Sequence, residues 1–451
     1  MNEVPDEVLL GIFGFCMVYP LPPPSCKEDA WHTLVHVCQR WRYVVFGSPR
    51  RLNLRLLCIN RRRVKTLGIW PELPIVVHID NRALLSITNV VSVLKRNDRV
   101  CKIVIDNVPS PLLEGLAKMA EPFPALIELE LTSFNGDPPM LPDSFLGGSV
   151  PSLRSLLLWG ISFPGLGRLL LSTRDLVTLS LNFFPPSEYI LPEAMVAILS
   201  TLARLASLHL NFETRQFWTP GRPPPALTRV VLPALTTFRF RGNGVYLDDI
   251  MSRIDAPLEF IAVTFSHQLV VSDIPMLRDF ISRTKIPNLA DQADIYFLTR
   301  TATISLFQKK GDIDFKVLYL EFPFSSDAIA LLPPLPSLDQ LSIHNSSSVF
   351  QHVTKNTQWI EILRPFITVK DLALSEPVAW SAASALQELV GVTEVLPALQ
   401  TIFIEDLQSC GSVPKGIAKF IAARELSGRP VVVHHREKKL LRCWIRREAG
   451  G

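Results

Sequence analysis

A short apolar unit recurs along most of this 451-residue chain. It reads apolar, two residues of any kind, apolar, one of any kind, apolar. It stands at Val100-Ile103-Ile105, Leu126-Leu129-Leu131, Leu153-Leu156-Leu158, Leu176-Leu179-Leu181 and Leu205-Leu208-Leu210. It continues at Leu235-Phe238-Phe240 and Leu258-Ile261-Val263. After a gap it resumes at Phe315-Leu318-Leu320, Leu338-Leu341-Ile343, Val369-Leu372-Leu374 and Leu399-Ile402-Ile404. Most successive units begin 23 to 31 residues apart. The last two apolar positions alternate as a strand does when one face meets a core. A chain this long exceeds one ordinary core, so it must form either several domains or an array that stacks its cores.

The segments between these units suit helices that return the chain. Ser110 can cap and Pro111 can start a helix bearing Leu112, Leu113, Leu116 and Met119. Pro192 can start another with Met195, Ile198, Leu199 and Leu202, and residues 81–95 carry Leu84, Ile87, Val91 and Leu94 at helical spacing. Pro122, Pro124, Pro151, Pro233 and Pro397 fall just before strands, where a helix has to end. One strand per repeat of this length, with a helical return, is the pattern of a leucine-rich repeat. The expected fold is therefore α/β, an irregular leucine-rich-repeat-like solenoid over residues 74–435. A set of unrelated α/β domains is the alternative. Against it, no Gly-rich phosphate loop follows any strand, and Gly147-Gly148 leads into no such motif. The array lacks the asparagine that regular repeats place after the strand. Between Val263 and Phe315 no register can be assigned, and Asp294 to Leu306 reads as hairpin material rather than a repeat.

If the repeated apolar positions face the core, the residues between them face outward. These are Glu128 and Glu130, Leu157 and Trp159, Thr178 and Ser180, His209 and Asn211, and Arg239 and Arg241. Further on they are Tyr319 and Glu321, Ser342 and His344, and Phe403 and Glu405. Polar groups with aromatic anchors suit a protein-binding face, and Trp159, His209, Arg239 and Arg241 are the candidates for contact with a target. The plainer reading is a solvated sheet face with no partner.

The first fifty residues differ. Pro5 suits the first position of a helix, and Asp6 and Glu7 favour the positive end of its dipole. Val8, Leu9, Leu10, Ile12, Phe13, Phe15 and Met17 surround that helix almost completely. The proline-rich run Pro20 to Pro24 stops it. A second helix is expected from about Glu28 to Phe46, lined by Trp31, Leu34, Val35, Val37, Cys38, Trp41, Val44 and Val45, with Gly47 and Pro49 ending it. Both helices are more apolar than their mutual contact would hide, so either the rest of the chain or another protein covers them.

Val4-Pro5-Asp6-Glu7-Val8-Leu9-Leu10-Gly11-Ile12-Phe13 resembles the opening of an F-box, and Val37-Cys38-Gln39-Arg40-Trp41-Arg42 resembles its Val-Cys-x-x-Trp segment. Val4 stands where a leucine is usual, and the spacer between the two helices is longer than in most F-boxes. That spacer and the run Phe46-Gly47-Ser48-Pro49-Arg50 are similar to a large F-box group of mushroom-forming fungi. The resemblance implies a small all-α module over residues 1–48 that binds the Skp adaptor of a cullin-RING ubiquitin ligase, while the rest of the chain recruits the target protein. It assigns adaptor docking to Pro5, Leu9, Leu10, Ile12, Leu34, Val37, Cys38 and Trp41. Residues 49–73 then form a linker with the first solenoid strand, and 436–451 a basic tail. An adaptor-binding scaffold that directs no ubiquitination is the alternative.

Other features narrow the function. The net charge of +4 is too mild for a nucleic-acid-binding face. The basic runs Arg61-Arg62-Arg63 with Lys65, and Lys438-Lys439 through Arg446-Arg447, read as a solvated loop and a tail. Seven scattered cysteines without a CxxC pair read as reduced thiols filling the core, in a cytoplasmic or nuclear protein. The apolar run Val8 to Tyr19 follows acidic residues and is too short for a membrane span. His434-His435 has no third ligand at metal spacing, and no HExxH, nucleophile elbow or phosphate loop occurs. No catalysis, metal, cofactor, nucleic-acid or membrane partner is expected. A hydrolase or transferase with an unrecognised site is the reading from a different class.

Overall fold

The computed structural model describes residues 4–18, 30–58, 67–68, 72–79, 87–108, 110–134, 139–184, 190–212, 229–265, 274–298, 301–323, 332–345, 356–388, 395–405 and 414–436. The proline-rich spacer, both basic runs and Cys26, Cys410 and Cys443 lie outside these residues. The chain is a mixed α/β protein whose sheet pairings are mostly parallel, and it divides into two compact units, Met1–Glu213 and Thr214–Gly451.

The first unit opens with α1 (Asp6–Val18), α2 (Ala30–Val35) and α3 (Gln39–Gly47). One long second helix was expected here; the chain instead breaks at His36–Cys38. Cys38 has extended backbone angles and its Sγ accepts from the Trp41 amide at 3.4 Å, so it caps α3 rather than continuing α2. The Arg42 guanidinium fastens the corner by donating to the Val35 carbonyl at 3.0 Å. Apolar periodicity cannot reveal such a break, because Val37 and Cys38 extend the hydrophobic pattern across it.

Among the described residues seven strands follow: β1 (Leu56–Cys58), β2 (Ile75–Ile79), β3 (Val100–Ile105), β4 (Glu128–Thr132), β5 (Ser155–Trp159), β6 (Thr178–Phe184) and β7 (Ser207–Phe212). Each pairs in parallel with the next in chain order. The register carries one apolar ladder, Val77–Ile103–Leu129–Leu156–Leu179–Leu208, and a second two residues on, Ile79–Ile105–Leu131–Leu158–Leu181–Leu210. All twelve side chains are buried. Helices Ile87–Leu94, Ser110–Ala117, Leu166–Ser172 and Pro192–Ser200 return the chain between strands, as parallel pairing requires. Pro192 stands in the first turn of its helix, and Met195, Ile198 and Leu199 are buried. Asn107, just past β3, accepts from the Phe134 amide at 3.2 Å through its side-chain Oδ1.

The second unit contains β8 (Val230–Val231), β9 (Thr237–Gly242), β10 (Ile254–Asp255), β11 (Phe260–Phe265), β12 (Gln292–Phe297), β13 (Thr301–Lys310), β14 (Ile313–Pro323), β15 (Gln340–Asn345), β16 (Asp371–Ser375), β17 (Thr401–Glu405) and β18 (Val432–Arg436). Its main sheet runs β9-β11-β14-β13-β12-β15-β16-β17-β18, and β8 pairs with β10 apart from it. Among the described strands only β13 is antiparallel to its neighbours. Asp294 to Leu306 thus lies in an antiparallel hairpin, and β14 fills the place beside β11 that the next strand in sequence would otherwise take. The two-residue turn Gly311-Asp312 joins β13 to β14, with Gly311 at φ +64°. A bulge between Leu306 and Phe307 keeps the apolar ladder Phe238–Ile261–Leu318–Leu306–Ala293–Leu341–Leu372–Ile402 in step. Phe315, expected in the core, is instead exposed near the hairpin turn, with Lys310 Nζ 5.7 Å from its ring centre.

Candidate functional site

Helix α1 is apolar on both sides. Leu9, Leu10 and Phe13 are buried, with the Phe13 ring 4.8 Å from that of Trp41 on α3. Val8, Ile12 and Phe15, spaced i, i+4 and i+7, form the opposite stripe and are 50%, 46% and 73% exposed. Gly11 and Gly14 have open space where a side chain would be, with no group of the described residues crowding them. Arg40 fixes the start of α1, donating to the Val4 carbonyl and to Asp6 Oδ1, the latter at 2.7 Å. Val37 and Tyr43 add further exposed apolar groups at the α2–α3 corner and on α3.

The residues that the F-box resemblance assigns to docking fall into two sets. Leu9, Leu10 and Leu34 pack inward, and Trp41 is half-buried against Phe13. Pro5, Ile12, Val37 and Cys38 are exposed. Val8, Phe15 and Tyr43 belong with the exposed set, although nothing in the helical pattern distinguishes them from core residues. Cys16 and Cys38 are exposed and Cys58 and Cys101 buried, so core filling describes only half of the described cysteines.

On β3 to β7 the side chains between the ladder positions lie on the other face of the sheet. Trp159 is half-buried there, its ring 4.8 Å from Phe183 and 6.0 Å from Phe134. His209 Nδ1 lies 3.4 Å from Ser180 Oγ, which also accepts from the Asn182 amide at 2.8 Å. Ser180 and Asn211, expected on the open face, are buried, and so is Asn182. Lys102 pairs with Glu128 at 3.1 Å. Burial, then the nearby Asp106 and Glu128, push the Glu130 carboxyl above the ordinary carboxylate range.

Arg239 and Arg241 are on β9 of the second unit. The Arg239 guanidinium lies 5.0 Å from the Phe260 ring centre, and Arg241 is exposed. The same face holds a titratable group of side chains that the sequence did not single out as a cluster. His344 stacks on Tyr296 at 4.6 Å and its Nδ1 is 3.4 Å from Glu405 Oε2. Ser375 of β16, small and aligned between them in register, leaves room for that contact. Burial raises the Asp294 carboxyl to about 6 against a hydrogen bond from Ser342, and burial likewise raises the Tyr296 phenol. On β18, His434 stacks on Phe403 at 5.6 Å. Among the described residues no group of three or more His, Cys, Asp or Glu could hold a metal ion, and no helix is long and apolar enough to cross a membrane.

The chain matches no protein-family model and no curated protein.

Proposed function

We propose that α1–α3 form an F-box that docks onto the Skp adaptor of a cullin-RING ubiquitin ligase, and that the parallel strands and their helices are a leucine-rich-repeat-like solenoid that binds the target protein. The chain is then a non-catalytic substrate receptor, and the transfer chemistry belongs to other subunits. The observation that carries this reading is the stripe Val8, Ile12 and Phe15, left in solvent on a helix whose opposite face is packed. Full burial of one such side chain is worth about 1.5–3 kcal/mol, so a partner that covers the stripe gains several. The motif residues Val37 and Cys38 are exposed at the break between α2 and α3. The test is calorimetry of the full chain with its cognate Skp adaptor, wild type against Ile12→Asp. Binding by wild type and its loss in a variant with unchanged melting supports the reading; a well-folded wild type that does not bind overturns it.

A further inference from the structure

β18 is the outermost strand of the second unit's sheet, and among the described residues no strand pairs beyond it and no helix follows it. The core rows run into it unfinished. Leu341, Leu372 and Ile402 are buried, and their register neighbour Val433 is only half-buried. Ile343, Leu374 and Ile404 are buried too, and their neighbour His435 is exposed.

The helices stop in the same way. Asn356–Leu363 packs on Glu376–Glu388, and Glu376–Glu388 on Lys415–Leu426. The second contact is close: a Cβ built on Gly416 would stand 2.2 Å from the Ala383 carbonyl oxygen. On the opposite side of Lys415–Leu426, Ala418, Ala422 and Leu426 share an i, i+4, i+8 stripe and are exposed, Leu426 to 91%. Stacked strand–helix units leave an apolar end in water unless a capping segment covers it.

The chain continues from Arg436 into Glu437-Lys438-Lys439-Leu440-Leu441-Arg442-Cys443-Trp444-Ile445-Arg446-Arg447. At helical spacing Leu440, Leu441, Trp444 and Ile445 fall within an arc of about 140°. Lys438, Lys439, Arg442 and Arg446 fall within a separate arc of about 100°. That segregation suits a helix with one buried side. We infer that residues 438–447 dock as the next helix of the stack, with Leu440, Leu441, Trp444 and Ile445 against Ala418, Ala422, Leu426 and Val433 and the basic side turned to solvent. The run that reads as a basic tail is then the cap of the second unit. Glu437 joins it directly to β18, so its effective concentration at this face is high, and a lipid surface or a second copy has to outcompete it. The small side chains of Ala418 and Ala422 leave room for large ones opposite. The inference is independent of what α1–α3 bind.

The experiment places a photo-reactive benzophenone side chain in place of Leu441 in the full chain and maps the cross-links by mass spectrometry. Cross-links within one molecule to residues 415–436 are expected. Their absence, or cross-links to a second copy instead, overturns the inference. Amide hydrogen exchange gives the second reading. Leu441→Asp combined with Trp444→Asp should speed exchange in Lys415–Leu426 and β18 about tenfold and leave β3 to β7 unchanged. Ala422→Glu should do the same from the other side of the contact. Arg442→Gln combined with Arg446→Gln should change neither region, because these side chains face solvent. Exchange in β18 that ignores the paired Asp substitutions overturns the inference. So does co-sedimentation of wild type with phosphatidylserine–phosphatidylcholine vesicles that the paired Asp substitutions abolish, since the apolar side then meets lipid and not the sheet's end.

Discussion

The Trp31 indole, fully buried in α2, donates to the Arg55 carbonyl at 2.8 Å, immediately before β1. This bond and the edge-on contact of Trp31 with Phe46 at 5.8 Å tie the three N-terminal helices to the first strand of the sheet. The helices are therefore held against the strand they precede, within the same unit. Trp31→Phe keeps most of the apolar volume but strands the Arg55 carbonyl. It should lower unfolding stability by about 1–3 kcal/mol, and Trp31→Ala by about 3–5 kcal/mol, both read by chemical denaturation. A Trp31→Phe variant as stable as wild type would mean that the bond contributes nothing to the attachment.

Stability and docking should separate along α1. Leu9→Asp places a carboxylate among Phe13 and the α2–α3 core, and loss of several kcal/mol is expected because an unpaired buried charge has nothing to offset its desolvation. Ile12→Asp and Phe15→Ser lie in solvent and should leave the melting temperature within about 2 °C. The same two substitutions should abolish adaptor binding. If Ile12→Asp melted as low as Leu9→Asp, the stripe would be covered by the chain itself.

This separation was only partly legible in the sequence. The repeat of apolar residues located β3 to β7, β9, β11 and β14 to β17, because a strand with one buried face imposes a period of two on its own residues. It could not locate β13, whose antiparallel course is set by its partners and by the turn at Gly311. Nor could it sort Leu9 from Val8, since both are apolar and only the packing of Trp41 on Phe13 decides which side of α1 turns inward. The residues of the outward face were readable by parity, but their burial was not. Asn182, Asn211 and Glu405 are buried in the midst of paired strands whose register joins residues far apart in sequence.

The strand ends of the first unit allow little freedom at Gly160. Its φ is +61°, its amide donates to the Asn182 carbonyl at 2.8 Å, and a Cβ built there would stand 2.3 Å from the Ser133 carbonyl oxygen. That oxygen belongs to backbone, so it cannot swing away as a side chain would. Gly160→Ala should cost at least about 2 kcal/mol, from the left-handed conformation and the clash together. It should also shift the Trp159 ring, whose backbone carbonyl holds the Ser133 amide at 2.8 Å. Denaturation midpoints and near-ultraviolet circular dichroism report the two effects, and an Ala variant with wild-type values in both would contradict this geometry.

Asp294 should make the second unit respond to pH. Burial raises its carboxyl from the ordinary 3.8 to about 6, with Glu405 and Asp314 adding to the shift and Ser342 and Lys316 opposing it. The folded chain thus keeps the proton between about pH 4 and 6 while the unfolded chain has released it. Folding binds more protons in that window, so this group's contribution to stability falls as pH rises through it and is constant above. Asp294→Asn stays neutral at every pH and can still accept from Ser342. Its stability relative to wild type should therefore rise between pH 4 and 6, by about 1–3 kcal/mol. The difference between the two denaturation curves reports the Asp294 carboxyl. A difference that stays flat across that window would mean that Asp294 is ionised throughout and is not held in the low-dielectric position between β13 and β15.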